Sequence, residues 1–176
     1  MVHELSLLEF EKSEIDGYSF VEKTSNYGGI NQRWLVVESE AKAESDKKSL
    51  ENKITKEKAM IQKKVAKLFK KPFDNATEAE LSLRQIKSKL KYHLISEIEI
   101  IENQVDPGNN TYQITGKIQS NHDVIESYKN RAGRFIIATN RLDNESFSCD
   151  EMLRKYKEQH AGRKRVCLPQ RPLILC

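Results

Sequence analysis

Tyr27-Gly-Gly-Ile-Asn-Gln-Arg-Trp-Leu-Val-Val37 opens on a turn and closes as a strand. Asn26 through Gly29 is turn-rich, while Arg33 to Val37 is β-branched and aromatic, the chemistry of a pleated surface. Upstream, Tyr18-Ser-Phe-Val21 has the same character. The two runs are expected to form a hairpin or the edge of a small sheet.

Beyond Val37 the period changes. Glu38 to Lys71 holds no glycine or proline and is dominated by Lys, Glu, Ala and Leu, good helix formers. Leu50, Ile54, Ile61, Val65 and Leu68 recur at steps of three, four and seven and draw one narrow apolar stripe. Pro72 ends the helix. Thr77-Glu-Ala-Glu80 has a capping-box pattern and opens a second helix striped by Ala79, Leu83, Ile86 and Leu90. With Lys71–Asn75 as the link, the expectation is an antiparallel helical hairpin over residues 40–92, each stripe burying the other.

Glu97-Ile-Glu-Ile100 and Tyr112-Gln-Ile-Thr-Gly-Lys-Ile118 alternate strictly on either side of Asp106-Pro-Gly-Asn109, a second pair of strands. Asp123 to Arg131 reads as a short helix closed by Gly133. Arg134-Phe-Ile-Ile-Ala-Thr139 suits a buried strand. Ser148-Cys-Asp-Glu151 repeats the capping-box pattern before a helix through Met152, Leu153 and Tyr156. The order is strands, helical hairpin, strands, then helix–strand–helix: an α/β protein.

The net charge of +4 conceals a strong segregation. Residues 1–41 carry −5, whereas residues 42–92 hold fifteen basic and seven acidic side chains, a net +8. That basic block is the candidate contact for nucleic acid, with Lys63, Lys64 and Lys67 its central cations. A solvated outer helix face is the other reading of the same lysines. Cys149, Cys167 and Cys176 form no CxxC pair, and His3, His93, His122 and His160 are scattered, so neither a disulfide framework nor a metal site is indicated. No apolar run approaches bilayer length, and a cytoplasmic protein without a membrane partner is expected.

Two stretches go further. Tyr27–Val37, and Arg131-Ala-Gly-Arg-Phe-Ile-Ile-Ala-Thr-Asn140 with the helix ending Tyr156-Lys-Glu-Gln159, resemble segments of bacterial DDE insertion-sequence transposases of the IS-four-like type. The resemblance spans roughly Tyr18 to Ala161. It implies an RNase H-like core in which two aspartates and a glutamate hold a pair of divalent ions, Mg or Mn, and a β-rich insertion that here carries the helical hairpin. On that basis residues 1–120 are the insertion subdomain, 121–161 the C-terminal part of the core, and 162–176 a tail. DNA, in the form of transposon ends, is the implied partner.

The family's last helix carries Y-x2-R-x3-E-x6-K, steps that put four groups on one helix face. Tyr156 matches the tyrosine, and Gln159 stands at the arginine-like position; both are implied nucleic-acid contacts. The metal-binding glutamate falls at Arg163 and the lysine at Gln170, so no catalytic residue and no bound metal are expected. The strands bearing both aspartates are expected upstream of Met1. Asp16, Asp123 and Asp150 sit in turns or helix first turns, where capping is the ordinary role.

Residues 162–175 admit synonymous codons whose one-base shift reads Ala-Glu-Lys-Gly-Phe-Ala-Phe-Leu-Lys-Asp-Pro-Leu-Phe. That string continues the family pattern with glutamate and lysine at the right spacing. The implied chain is an inactive transposase remnant with a frameshifted tail, whose last helix frays near Ala161 and whose final residues make few backbone hydrogen bonds. The alternative is a non-enzymatic nucleic-acid or protein interaction module with a native basic tail.

Overall fold

The structure, a computed structural model, describes residues 9–106, 109–163 and 174–175. In chain order the elements begin β1 (Glu11–Lys12), β2 (Tyr18–Tyr27), β3 (Ile30–Ser39), α1 (Glu40–Lys70) and α2 (Ala76–Lys87). They continue with β4 (His93–Asp106), β5 (Asn109–Ser120), α3 (His122–Lys129), β6 (Arg134–Thr139), α4 (Cys149–Arg163) and β7 (Ile174–Leu175). Contacts divide them into two compact units, one from the chain up to Asp46 and from Ala132 onward, the other from Lys47 to Arg131. None of the described helices is long and apolar enough to cross a membrane.

In the first unit β2 and β3 form the expected hairpin through Gly28 and Gly29, both at positive φ, which two-residue hairpin turns require and glycine adopts freely. β3 then pairs antiparallel with β6, Val36 opposite Ile136 and Arg33 opposite Thr139. β1 adds to β2, and the two-residue β7 lies parallel to β6. Ile174 and Leu175 thus carry backbone pairing where little was expected; most of the tail lies outside the described residues. α4 runs to Arg163, close to the Ala161 near which fraying was expected, and the residues that follow lie outside the described ones.

Alternation along the strands turns Phe20, Leu35, Val37 and Ile137 to one side, where Phe147, Met152 and Leu153 complete a core. Each such side chain, fully buried, contributes about 1.5–3 kcal/mol. The α4 capping box forms in full: Ser148 N–H donates to Glu151 Oε2 at 2.9 Å, and Glu151 N–H to Ser148 Oγ at 3.2 Å. Asp150 accepts from the Ser13 hydroxyl and from Glu14 N–H, tying α4 to the chain before β2. Gly133 packs so close to α1 that an added Cβ would lie 2.7 Å from Ala43 Cβ.

In the second unit Ile61, Val65 and Leu68 of α1 meet Ala79 and Leu83 of α2 in one core, as the stripes require. The stripes do not bury each other alone. Ile95 and Ile114 of the β4–β5 hairpin share that core, and Phe73 in the linker exchanges backbone hydrogen bonds with Tyr112. Leu50 instead joins Tyr92 and Ile125 in a smaller cluster.

Two boundaries differ from expectation. The α2 cap is Asn75, not Thr77: its side chain accepts from Glu78 N–H at 2.8 Å, two residues ahead of the proposed box. The helix stops at Lys87 rather than Tyr92. Backbone N–H groups of Lys91, Tyr92 and His93 all turn to the Glu57 carboxylate at 2.8–3.1 Å, which a continuing helix would forbid.

Candidate nucleic-acid interface

Because Ile61, Val65 and Leu68 occupy the buried side of α1, the residues between them face water. Lys63, Lys64 and Lys67 are all exposed, Lys67 one helical turn beyond the adjacent pair, and among the described residues no carboxylate pairs with them. From Lys58 to Lys71 the chain holds six lysines and no acid. Of these Lys71 alone is engaged, with Glu78 at 3.0 Å. Four of these cations, Lys63, Lys64, Lys67 and Lys70, share the outer side of the helix and make a positive face suited to phosphates and indifferent to sequence.

Tyr156 and Gln159 lie on α4, in the other unit. Gln159 is exposed. Tyr156 is half-buried, its ring stacked on Phe135 with centroids 5.0 Å apart and planes at 26°. Burial, then the nearby Tyr18, raises its hydroxyl above the ordinary tyrosine range. One face of its ring is therefore taken up in the core of its unit. The two halves of the expected DNA contact are thus carried by separate units.

Asp150 holds Ser13 and Glu14, Asp123 occupies the first turn of α3, and Asp16 sits exposed ahead of β2. Arg163, at the position the resemblance gives to the glutamate, is a cation and does not suit a divalent ion.

Sequence reading passed over Arg33, the most heavily bonded side chain of the first unit. It is 1% exposed. Nε donates to Glu22 Oε1 at 2.5 Å, Nη1 to the carbonyls of Phe147 at 2.8 Å and Asp143 at 3.2 Å, and Nη2 to Asn144 Oδ1 at 2.8 Å. The hydrogen bond from Arg33 holds the Glu22 carboxyl below its ordinary range, although burial opposes this. Burial first, then Glu22, pushes the Cys149 thiol up to about 11, and its Sγ–H donates to Glu22 Oε2 at 3.1 Å. Parity was the available signal: Arg33, Leu35 and Val37 share one face of β3, so an inward strand position held a cation. Arg33 fixes the segment that links β6 to α4, and so sets where α4 begins.

Compared with known proteins, the chain matches no family model, no curated protein and no solved structure.

Proposed function

We propose that this chain is a DNA-binding relative of the DDE insertion-sequence transposases, of IS-four-like type, that lacks strand-cleaving chemistry. In this reading β6 and α4 belong to an RNase H-like core, and the α1–α2 pair with β4–β5 to the insertion. The protein acts in the cytoplasm on DNA, with no metal of its own. One observation supports it most. The two stretches that carry the resemblance, distant in sequence, are partners in one sheet as β3 and β6, and Arg33 of the first grips the segment following the second.

The second reading, a non-enzymatic interaction module, draws on the six-lysine run of α1. The first reading, and the second where its partner is nucleic acid, expect weak, salt-sensitive binding to duplex DNA. They part over ancestry, which the gene's bases decide. The biochemical test incubates purified protein with duplexes carrying insertion-sequence terminal repeats and with unrelated duplexes, with magnesium or manganese. Expected are similar affinities for both, a log–log salt slope falling by about 2–3 when Lys63, Lys64 and Lys67 become glutamine, and no cleavage. Reproducible nicking or joining at the repeats would refute the inactive assignment, and absence of binding at low salt would refute DNA contact.

A further inference from the structure

A second group of cations lies in the same unit, around Tyr128. Lys91 Nζ sits 4.7 Å from the centroid of that ring, and Arg131 Cζ sits 5.5 Å from it. The hydrogen bond donated by Lys91 holds the Tyr128 hydroxyl below the ordinary tyrosine range, against partial burial, with the charges of Arg131 and Lys53 adding to it. Three exposed cations lie around this ring: Lys91 ahead of β4 and Arg131 after α3, both against it, and Lys53 on α1, the neighbour of Ile54, which packs on the same cluster as Tyr128.

Among the described residues no carboxylate forms an ion pair with Lys53, Lys91 or Arg131. Glu57 is close enough to act on Lys91, yet its side chain is 11% exposed and spent on the three backbone N–H groups and on His93 Nδ1 at 3.0 Å. Arg131 donates instead to the Ser127 carbonyl and hydroxyl, which fixes its direction. The base is firm, because Tyr128 meets Tyr92 edge-on at 5.7 Å and Tyr92 is buried with Leu50 and Ile125. Rings that hold cations in place reduce the entropy lost when an anion arrives.

We infer that Lys53, Lys91 and Arg131 form a phosphodiester-binding site for the DNA backbone, continuous along α1 with Lys64 and Lys67. The inference rests on the DNA reading above and extends it. Lys53 and Lys64 are eleven residues apart, about three helical turns, so they share one face of α1 roughly 16 Å apart along its axis. That distance spans several phosphates of one strand. Lysines supply point charges at the ends and the Arg131 fork a directional contact between phosphate oxygens.

The test measures anisotropy of a labelled duplex at several salt concentrations, for wild type, Lys91→Gln/Arg131→Gln, and Lys63→Gln/Lys64→Gln/Lys67→Gln. Thermal melts confirm folding, and Lys53→Gln serves as the second variant should the first be unstable. The Lys91/Arg131 variant is expected to bind at least tenfold more weakly, its salt slope flatter by about 2, or by about 1 for Lys53→Gln. If that variant keeps wild-type affinity and slope while the triple variant loses binding, this site is overturned and the DNA reading stands. If wild type binds no duplex, both fall. If polyglutamate competes as well as unlabelled duplex at equal charge, the site takes acidic chains generally and the phosphodiester assignment is overturned.

Discussion

Replacing Arg33 by methionine keeps an unbranched apolar stem and removes every donor. The change strands a carboxylate on Glu22, the carbonyls of Phe147 and Asp143, and the amide oxygen of Asn144. Breaking a buried ion pair from one side costs about 3–5 kcal/mol. Glu22 keeps 29% of its side chain in water, which lets solvent recover part of that, so the expected loss is about 2–4 kcal/mol. For a chain of this size that lowers Tm by roughly 5–15 °C. Arg33→Lys should fare little better, because one ammonium cannot reach Glu22, two carbonyls and Asn144 together. Urea unfolding of wild type, Arg33→Met, Glu22→Gln and the double variant completes a cycle. The two single losses should be less than additive by at least about 1 kcal/mol. A loss below about 1 kcal/mol for Arg33→Met, or strict additivity with Glu22→Gln, would refute the clamp.

Other expectations follow from the same geometry. Because Glu22 titrates below its ordinary 4.5 when folded, the ion pair's contribution is present above that value and lost as pH falls through the depressed one. The Tm gap between wild type and Glu22→Gln should therefore shrink from neutral pH toward about pH 3, and a constant gap would contradict the pairing. With Cys167 and Cys176 replaced by serine, Cys149 should resist a thiol reagent at pH 8 until the chain is unfolded. Rapid labelling of folded protein would show that the thiol is neither buried nor raised. Gly133→Ala should destabilise by about 1–3 kcal/mol, since it strains a φ of +83° and drives a methyl to 2.7 Å from Ala43 Cβ. A neutral melt would mean that the start of α1 moves away freely.

The elements were legible wherever the information was local. The Gly28–Gly29 turn, the apolar stripe of α1, and the Ser148/Glu151 box each lie within a few residues of what they determine. The end of α2 was not legible, because Glu57, some thirty residues upstream, draws the backbone of Lys91 to His93 out of helical geometry. Asn75 outcompeted Thr77 as the cap, a choice between neighbours that the later box concealed. The pairing of β3 with β6 joins residues a hundred positions apart, beyond the reach of periodicity. At the candidate interface the exposed lysines followed from the stripe alone. Tyr156 is a contact residue only by the family resemblance, and no local pattern reveals that Phe135 stacks on its ring. The Tyr128 cluster, assembled from three elements, left no mark on any single one.

The central claim is that Arg163 stands where a transposase holds its metal-binding glutamate, because the bases beneath residues 162–175 belong to another frame. Sequencing the gene across those codons decides it. The account predicts that a one-base shift at codon 162 opens an uninterrupted frame reading Ala-Glu-Lys-Gly-Phe, with glutamate at the position of Arg163 and lysine seven residues later. A stop codon in that frame, or any residue but glutamate at that position, would contradict the account.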